Sequence, residues 1–369
     1  SQTTHTRTTE FSYNDEGFLS SVTGPERLTT SFDHDPMGRI TAVLRPDGSS
    51  IEYNYDLTGN MTVLTSPAHI DHRFGFNKVH RKEAYETPRS GVYQYRYNRD
   101  RQLVGADFPS GRSIHYVYSG TRLSEVQTPE GVIEYAYRCC QQIERISTGD
   151  EAVQFEYDGG LMTTQISSGL LDQEINYAYD NDFRVEEIRY ADGGEMLVYD
   201  DDSLLTARGA FEIDRQAGNG LPEALSDGTY AETRRYNGYG ETSGKRTSID
   251  GLQVFDWTVV RDDAGRIVQK NETIGGVSDD YRYTYDIMGR LNQVGKNGAI
   301  VESYAYDQRG VRIRETNQHK KVSARPYSYS DEDHLLAAGD THYTYDLDGF
   351  LTSRTRGGNV TTYEYSLSG

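Results

Sequence analysis

The sequence is poor in the features that usually announce a compact enzyme or a membrane protein. It has two cysteines, and they are neighbours, Cys139 and Cys140. Adjacent cysteines rarely bridge each other, so no disulfide framework holds the fold together. No run of about 18 apolar residues occurs, so nothing reads as a spanning helix and direct membrane insertion is not expected. Basic residues are scarce: 38 Lys and Arg stand against 57 Asp and Glu, for a net charge of −19. That balance excludes a duplex nucleic-acid binder, whose phosphates need a basic footprint, and it repels an anionic membrane surface. Leu, Val, Ile and Phe make up about one residue in five, near the compositional border of disorder. No window shows a sustained 3.6-residue period, so almost no helix is expected. The chain begins without Met or a signal peptide, in the polar run Ser1-Gln2-Thr3, and ends at Tyr363-Glu364-Tyr365-Ser366 and Gly369, inside a repeat. It reads as a piece of a longer polypeptide.

What is abundant is tyrosine, 30 residues, and glycine, 37. A Tyr buries a large ring while its hydroxyl stays wet or bonded, so it stabilises a sheet that has no oily core. The tyrosines fall into one phrase, clearest at Tyr283-Thr284-Tyr285-Asp286-Ile287-Met288-Gly289-Arg290-Leu291. The phrase returns as Tyr53/Tyr55/Asp56/Gly59, Tyr304/Tyr306/Asp307/Gly310 and Tyr343/Tyr345/Asp346/Gly349. Counted from the turn Gly or its substitute, Gly17, Gly38, Gly59, His80 and Arg101 are each 21 residues apart. The series continues near Gln141, Phe183, Ser203, Gly240, Gly265, Gly289, Gly310, Asp333, Gly349 and Gly369. About eighteen copies fit, so residues 1–369 form one repeat array in place of the two or three domains that length alone suggests.

Each repeat has two turns. The first is Asp/Asn-x-x-Gly, where the side chain caps the backbone and Gly supplies the positive φ. The second, about ten residues on, appears as Pro46-Asp47-Gly48, Pro109-Ser110-Gly111, Pro129-Glu130-Gly131 or Lys296-Asn297-Gly298. Segments such as Ser50–Tyr55 alternate with period two, placing Tyr53 and Tyr55 on one face. The pattern is strand–turn–strand, repeated, with equivalent tyrosines forming a ladder. About thirty-six strands at ~4.8 Å would span roughly 170 Å if flat, so the sheet must twist, curl or close. The expected fold is all-β: antiparallel hairpins curling into a spiral, hollow shell or partial barrel whose wall is too long to fill its own interior. Residues 208–257 are the least regular, with Gly218, Gly220, Gly238 and Gly240 close together, and predict a larger loop or distorted hairpin.

These residues closely resemble the YD/RHS repeats of bacterial Rhs proteins, toxin-complex C subunits and teneurin adhesion receptors, over nearly the whole chain. The shortened repeat Leu335 to Leu351, containing Gly339-Asp340-Thr341-His342-Tyr343, is similar to that of teneurin-type shells. The resemblance implies a spiral shell module of a large secreted or cell-surface protein of bacterial source, non-catalytic, enclosing a C-terminal segment of the same polypeptide. It equally allows an adhesion or carbohydrate-binding ectodomain whose outer surface meets a cell-surface protein or glycan. Relatives end in a core with a self-cleavage site built on two Asp-Pro dipeptides. This chain has one, Asp35-Pro36, so self-cleavage is not carried over, and the dipeptide reads as an ordinary turn.

Other chemistry finds less support. Asp346-Leu347-Asp348-Gly349, Asp331-Glu332-Asp333 and Asp200-Asp201-Asp202 invite calcium, yet no loop supplies a full oxygen-ligand run; they read as solvated turn acids. His69, Asp71, His72 and His80 offer zinc donors without a defined fourth ligand. No acid pair stands out for glycoside hydrolysis, and Cys140 has no orienting partner. Asn60-Met61-Thr62, Asn271-Glu272-Thr273 and Asn359-Val360-Thr361 are sequons that matter only in a eukaryotic secretory pathway. No enzyme, cofactor or metal is expected.

Overall fold

The structure is a computed structural model describing residues 6–366. The described residues contain 35 strands and a single 3-10 turn at Cys139–Gln141. The chain divides into two units, one of residues 6–113, 259–271 and 279–364, the other chiefly residues 114–258 with 272–278. Within each unit a strand pairs antiparallel with the next strand in the chain: Ser50–Tyr55 with Met61–Thr65 in the first, Glu151–Asp158 with Leu161–Ser168 in the second. The fold is an antiparallel hairpin array.

Two local rules build each hairpin. Along Ser50–Tyr55 the face carrying Tyr53 and Tyr55 is half-buried while Glu52 and Asn54 are exposed, as period-two geometry requires. The register then shifts at the second aromatic of the phrase, between Asn54 and Tyr55, Thr284 and Tyr285, Ala305 and Tyr306, and Thr344 and Tyr345. Such bulges sharpen the local twist, repeat after repeat. The aromatic ladder is literal where Phe74, Tyr85 and Tyr93 face one another on paired strands: the rings stack at 5.2 and 5.8 Å.

Little apolar material is fully buried: among the described residues, Ala106, Ala152, Val294, Val301, Val322 and Ala338 are the buried hydrophobic ones. The accessible surface is 22850 Å², about one and a half times the roughly 15,000 Å² of a compact single-core protein of this mass. Stability must therefore come from ladder hydrogen bonds and half-buried rings. Two carboxylates go deep. Glu315, 2% exposed, accepts from the Tyr327 hydroxyl and pairs with Lys320 at 3.4 Å, and Glu232, 4% exposed, is held by Arg234 and Lys245 at 2.6 and 2.9 Å. Burial pushes the Glu232 carboxyl up, but hydrogen bonds from Tyr230, Lys245 and Arg234 outweigh it and bring it to about 2.

The stretch 208–257 is more regular than its glycines suggest. Strands Phe211–Arg215, Pro222–Ser226, Tyr230–Tyr236 and Thr242–Ile249 follow one another. Gly218 and Gly220 lie in one turn, Gly238 and Gly240 in the next but one, so they interrupt no strand. No larger loop forms there. The distortion amounts to one extra turn residue: Gln216 N donates to Leu221 O, five positions on, where Asp286 N reaches Arg290 O, four positions on.

Candidate functional site: the turn lattice and its seam

The recurring phrase becomes one repeated device. At Asp286 the backbone N–H donates to Arg290 O and Gly289 N–H donates to Asp286 O, both at 2.9 Å. This is a type I turn closed by a positive-φ residue, the three-residue hairpin loop. The Asp286 carboxylate completes it: Oδ1 accepts the N–H groups of Met288 and Arg290 at 2.9 Å, and Oδ2 takes Arg290 Nε at 2.7 Å. The same capping recurs at Asp35, Asp56, Asp180, Asp262, Asp307 and Asp346, with amides at Asn77, Asn98 and Asn237. Hydrogen bonds from the Asn60 and Thr58 side chains hold the Asp56 carboxyl well below the usual carboxylate range. Asp35-Pro36 is one such turn, its Asp capping Met37 and Arg39.

The closing position is left-handed whatever residue fills it. φ is +93° at Gly59, +76° at Gly289, +97° at Gly310 and +84° at Gly349, but also +60° at His80, +64° at Arg101, +62° at Phe183 and +61° at Asp333. Turn geometry, then, survives the loss of Gly; Gly369 of the same series lies outside the described residues. Glycine keeps a second value where an arginine passes close: a Cβ on Gly289 would stand 3.2 Å from Arg266 Nη1.

The arginine that follows the closing glycine, Arg290 in the clearest copy, is a functional residue whose role the phrase alone does not state. Arg290 keeps its bond to Asp286 through Nε and also reaches the next hairpin, where its guanidinium lies 4.9 Å from the Tyr306 ring and donates to Asp307 O at 3.1 Å. Tyr306 returns the link, its hydroxyl donating to Leu291 O at 2.9 Å. Arg39 and Tyr55, Arg184 and Tyr199, and Arg266 and Tyr285 repeat the stacking at 4.6–4.8 Å. The second tyrosine likewise reaches back in Tyr55, Tyr285 and Tyr345, bonding Ile40, Ile267 and Leu335 carbonyls. The Ile40, Leu291 and Leu335 carbonyls sit at the bulge of the preceding hairpin, where the ladder register breaks. The first tyrosines differ. Tyr53 and Tyr343 lie half-buried on the aromatic face; Tyr283 does the same. Tyr304 donates to Glu302, and burial, then that carboxylate, push its hydroxyl up to about 12.

Within the first unit a second set of contacts joins residues far apart in sequence. Second-type turns of residues 24–112 meet first-type turns 238 to 263 residues later. Glu26 pairs with Arg266 at 2.6 Å, Arg45 donates to Gln308 O, Arg89 pairs with Asp331, and Arg112 covers the Phe350 ring at 5.4 Å. Glu332 accepts Ser90 N–H at 2.8 Å and Arg89 N–H at 3.2 Å, and Asp348 accepts Ser110 N–H at 2.9 Å. These acids were expected to be solvated; Glu332 is 12% exposed and spoken for. Tyr85, Tyr93, His72, His334, Glu332 and Asp348 line an open pocket of about 150 Å³ there. The zinc candidates separate: His72 Nδ1 bonds Tyr85 Oη at 2.8 Å and His80 Nδ1 bonds Asn60 at 3.2 Å. Among the described residues no three metal-ligating side chains come together. The signal that could have disclosed the seam is the spacing of Pro25, Pro46, Pro67, Pro88 and Pro109, 21 residues apart.

A hairpin array wired through Tyr, Asp, Gly and Arg at each turn defines a class, the Tyr-Asp repeat wall. The Teneurin YD-shell family model matches residues 1–369, and the chain belongs to that family. Human Teneurin-4 is 26% identical over 278 residues, 70% of this chain and 10% of that protein. A Burkholderia cenocepacia protein, double-stranded DNA deaminase toxin A, is 22% identical over 308 residues, 78% of this chain and 20% of that protein. The crystal structure of TcdB2-TccC3-TEV superposes with a TM-score of 0.73 at 12% identity, covering 98% of this chain and 25% of that one. The chain thus spans about a tenth to a fifth of the curated relatives it matches, and the fold is shared with the toxin structure.

Proposed function

We propose that this chain is a catalytically silent wall segment that encloses or shields another segment of the same polypeptide, in a secreted or cell-surface protein. The observation that carries the reading is the consumption of the motif's polar groups by wall-building. Asp286, Arg290 and Tyr306 spend their hydrogen bonds on turns and on the next hairpin, and the seam acids Glu332 and Asp348 are bonded to other turns. Membership of the YD-shell family and the fold shared with the toxin structure support it. The test is limited proteolysis of the full-length polypeptide that carries this chain. Its downstream segment should resist protease until the wall is opened by denaturant. Equal cleavage rates with the wall intact and with it deleted would overturn the proposal.

A second reading, adhesion through the outer surface to a protein or glycan, has one observation in its favour. Large apolar side chains stand out at turn tips, with Leu57 100%, Leu170 92% and Met37 74% exposed, the kind of surface that partners cover. A glycan array and a cell-surface binding screen should each return a binder if this reading holds; two blank screens would count against it.

A further inference from the structure

The seam turns share a construction that the tight hairpins lack. In Thr87-Pro88-Arg89-Ser90-Gly91 the turn closes through Thr87 N–H to Gly91 O at 2.9 Å, and the Thr87 hydroxyl accepts Ser90 N–H and Gly91 N–H. In Phe108-Pro109-Ser110-Gly111 the Gly111 N–H returns to Phe108 O at 2.9 Å. Pro at the second position sets φ near −65° and contributes no N–H. In the first turn the Arg89 and Ser90 N–H groups both reach outward, the Ser90 N–H being shared with Thr87 Oγ1, and in the second the Ser110 N–H does so alone; outward backbone donors of this kind suit an anion. The serine hydroxyl adds a further donor in each turn.

Both sets of donors are taken by a carboxylate from a first-type turn. Glu332 accepts Arg89 N–H, Ser90 N–H and the Ser90 hydroxyl; Asp348 accepts Ser110 N–H and the Ser110 hydroxyl. Side contacts fix the approach: Tyr93 Oη donates to Asp348 O at 3.2 Å, and Arg89 pairs with Asp331. Both acids stand at the third position of their turns, Ser330-Asp331-Glu332-Asp333 and Asp346-Leu347-Asp348-Gly349. That position leaves the capping residue free for its own turn, since Ser330 Oγ and Asp346 Oδ1 hold the local backbone.

We infer that the Pro88 and Pro109 turns are carboxylate receptors, that Glu332 and Asp348 are their ligands, and that this pair of joints sets the register between stretches of the wall some 240 residues apart. The inference concerns this chain alone and stands whether or not the wall encloses anything. The donors are neutral, so the joint resists salt, unlike the neighbouring Arg89–Asp331 pair, which is exposed on its Arg side. Burial pushes the Glu332 carboxyl up, yet the hydrogen bonds from Ser90, Thr87 and Arg89 prevail and hold it at about 2.

The experiment is amide hydrogen exchange on the full chain with Glu332→Ala and Asp348→Ala, each with and without added formate, with formamide as the neutral control. The Arg89 amide should exchange roughly 10- to 100-fold faster in E332A, and the Ser110 amide in D348A, the range expected for losing bonds to a charged acceptor, while the Ser90 amide, which keeps Thr87 Oγ1, should speed up by less. Formate should restore protection and formamide should not. Unchanged exchange would overturn the inference, and so would faster exchange that formate leaves uncorrected. Should E332A lose its β-sheet signal, Glu332→Gln serves: selective deprotection of residues 89–90 supports a carboxylate receptor, and wild-type protection contradicts it.

Discussion

Residues 24–112 and residues 250–298 make the same hairpins with different second turns. The first region reverses through Pro25, Pro46, Pro67, Pro88 and Pro109 in longer loops; the second reverses through Asp250-Gly251, Gly275-Gly276 and Asn297-Gly298 in two residues. In the tight turns both central residues have positive φ, 49° and 77°, 55° and 85°, 50° and 85°, the arrangement whose twist matches paired strands. The longer turns cost more residues, and the seam shows what they give. A tight turn only reverses the chain. A proline turn also presents backbone donors, and at Ser90 and Ser110 those donors are occupied.

The largest effect should follow from exchanging the two kinds. Asn297→Pro places a fixed negative φ where +50° is needed and removes the N–H that donates to Asp280 O. Its unfolding free energy should drop by about 2 kcal/mol or more, measured by urea denaturation. The reverse change, Pro88→Gly, should lower stability by less than about 1 kcal/mol, through unfolded-state entropy alone. If the two substitutions cost the same, the turn types are interchangeable and the comparison fails.

Asp286→Ala comes next, at about 1–2 kcal/mol, since it strips two N–H caps and the Arg290 contact together. Tyr285→Phe removes one hydroxyl and leaves the Ile267 carbonyl without that donor. A loss of about 1 kcal/mol is expected, and a Tm equal to wild type would show that water replaces the bond.

Acid should act on the seam late. The Glu332 carboxyl is lowered from 4.5 to about 2, so its contribution is fully present above about pH 4.5 and is lost as pH falls through about 2. Protection of the Ser90 amide should therefore be unchanged between pH 7 and pH 5 after correction for intrinsic exchange, and should decline only below about pH 4. Release at pH 5–6 would mean that some other group governs the joint.

Much of this was legible in the chain itself. Tyr53, Tyr55, Asp56 and Gly59 state the alternation, the cap and the positive φ locally, within a few residues, and local geometry is what sequence patterns carry. The series even located His80, Arg101, Phe183 and Asp333 as turn residues without glycine, and all are left-handed. Residues 208–257 are more regular than their glycine content predicts, because Gly218 and Gly220 share one turn and Gly238 and Gly240 another, and none of the four breaks a strand. What stayed hidden was the partner of each charge. Arg290 serves Asp286 in its own turn and Tyr306 in the next hairpin, and only the strand register decides that. Glu332 and Asp348 look like solvated turn acids because their donors lie 242 and 238 residues away. No local pattern specifies a separation fixed by how the array curls.

The central claim is that the phrase wires one hairpin to the next, and a double-mutant cycle across that joint tests it most directly. Arg290→Gln and Tyr306→Leu, alone and together, should show a coupling of about 0.5–1 kcal/mol in unfolding free energy, reflecting a guanidinium 4.9 Å from the ring. Additive losses, with coupling indistinguishable from zero, would contradict the account and confine each copy of the motif to its own turn.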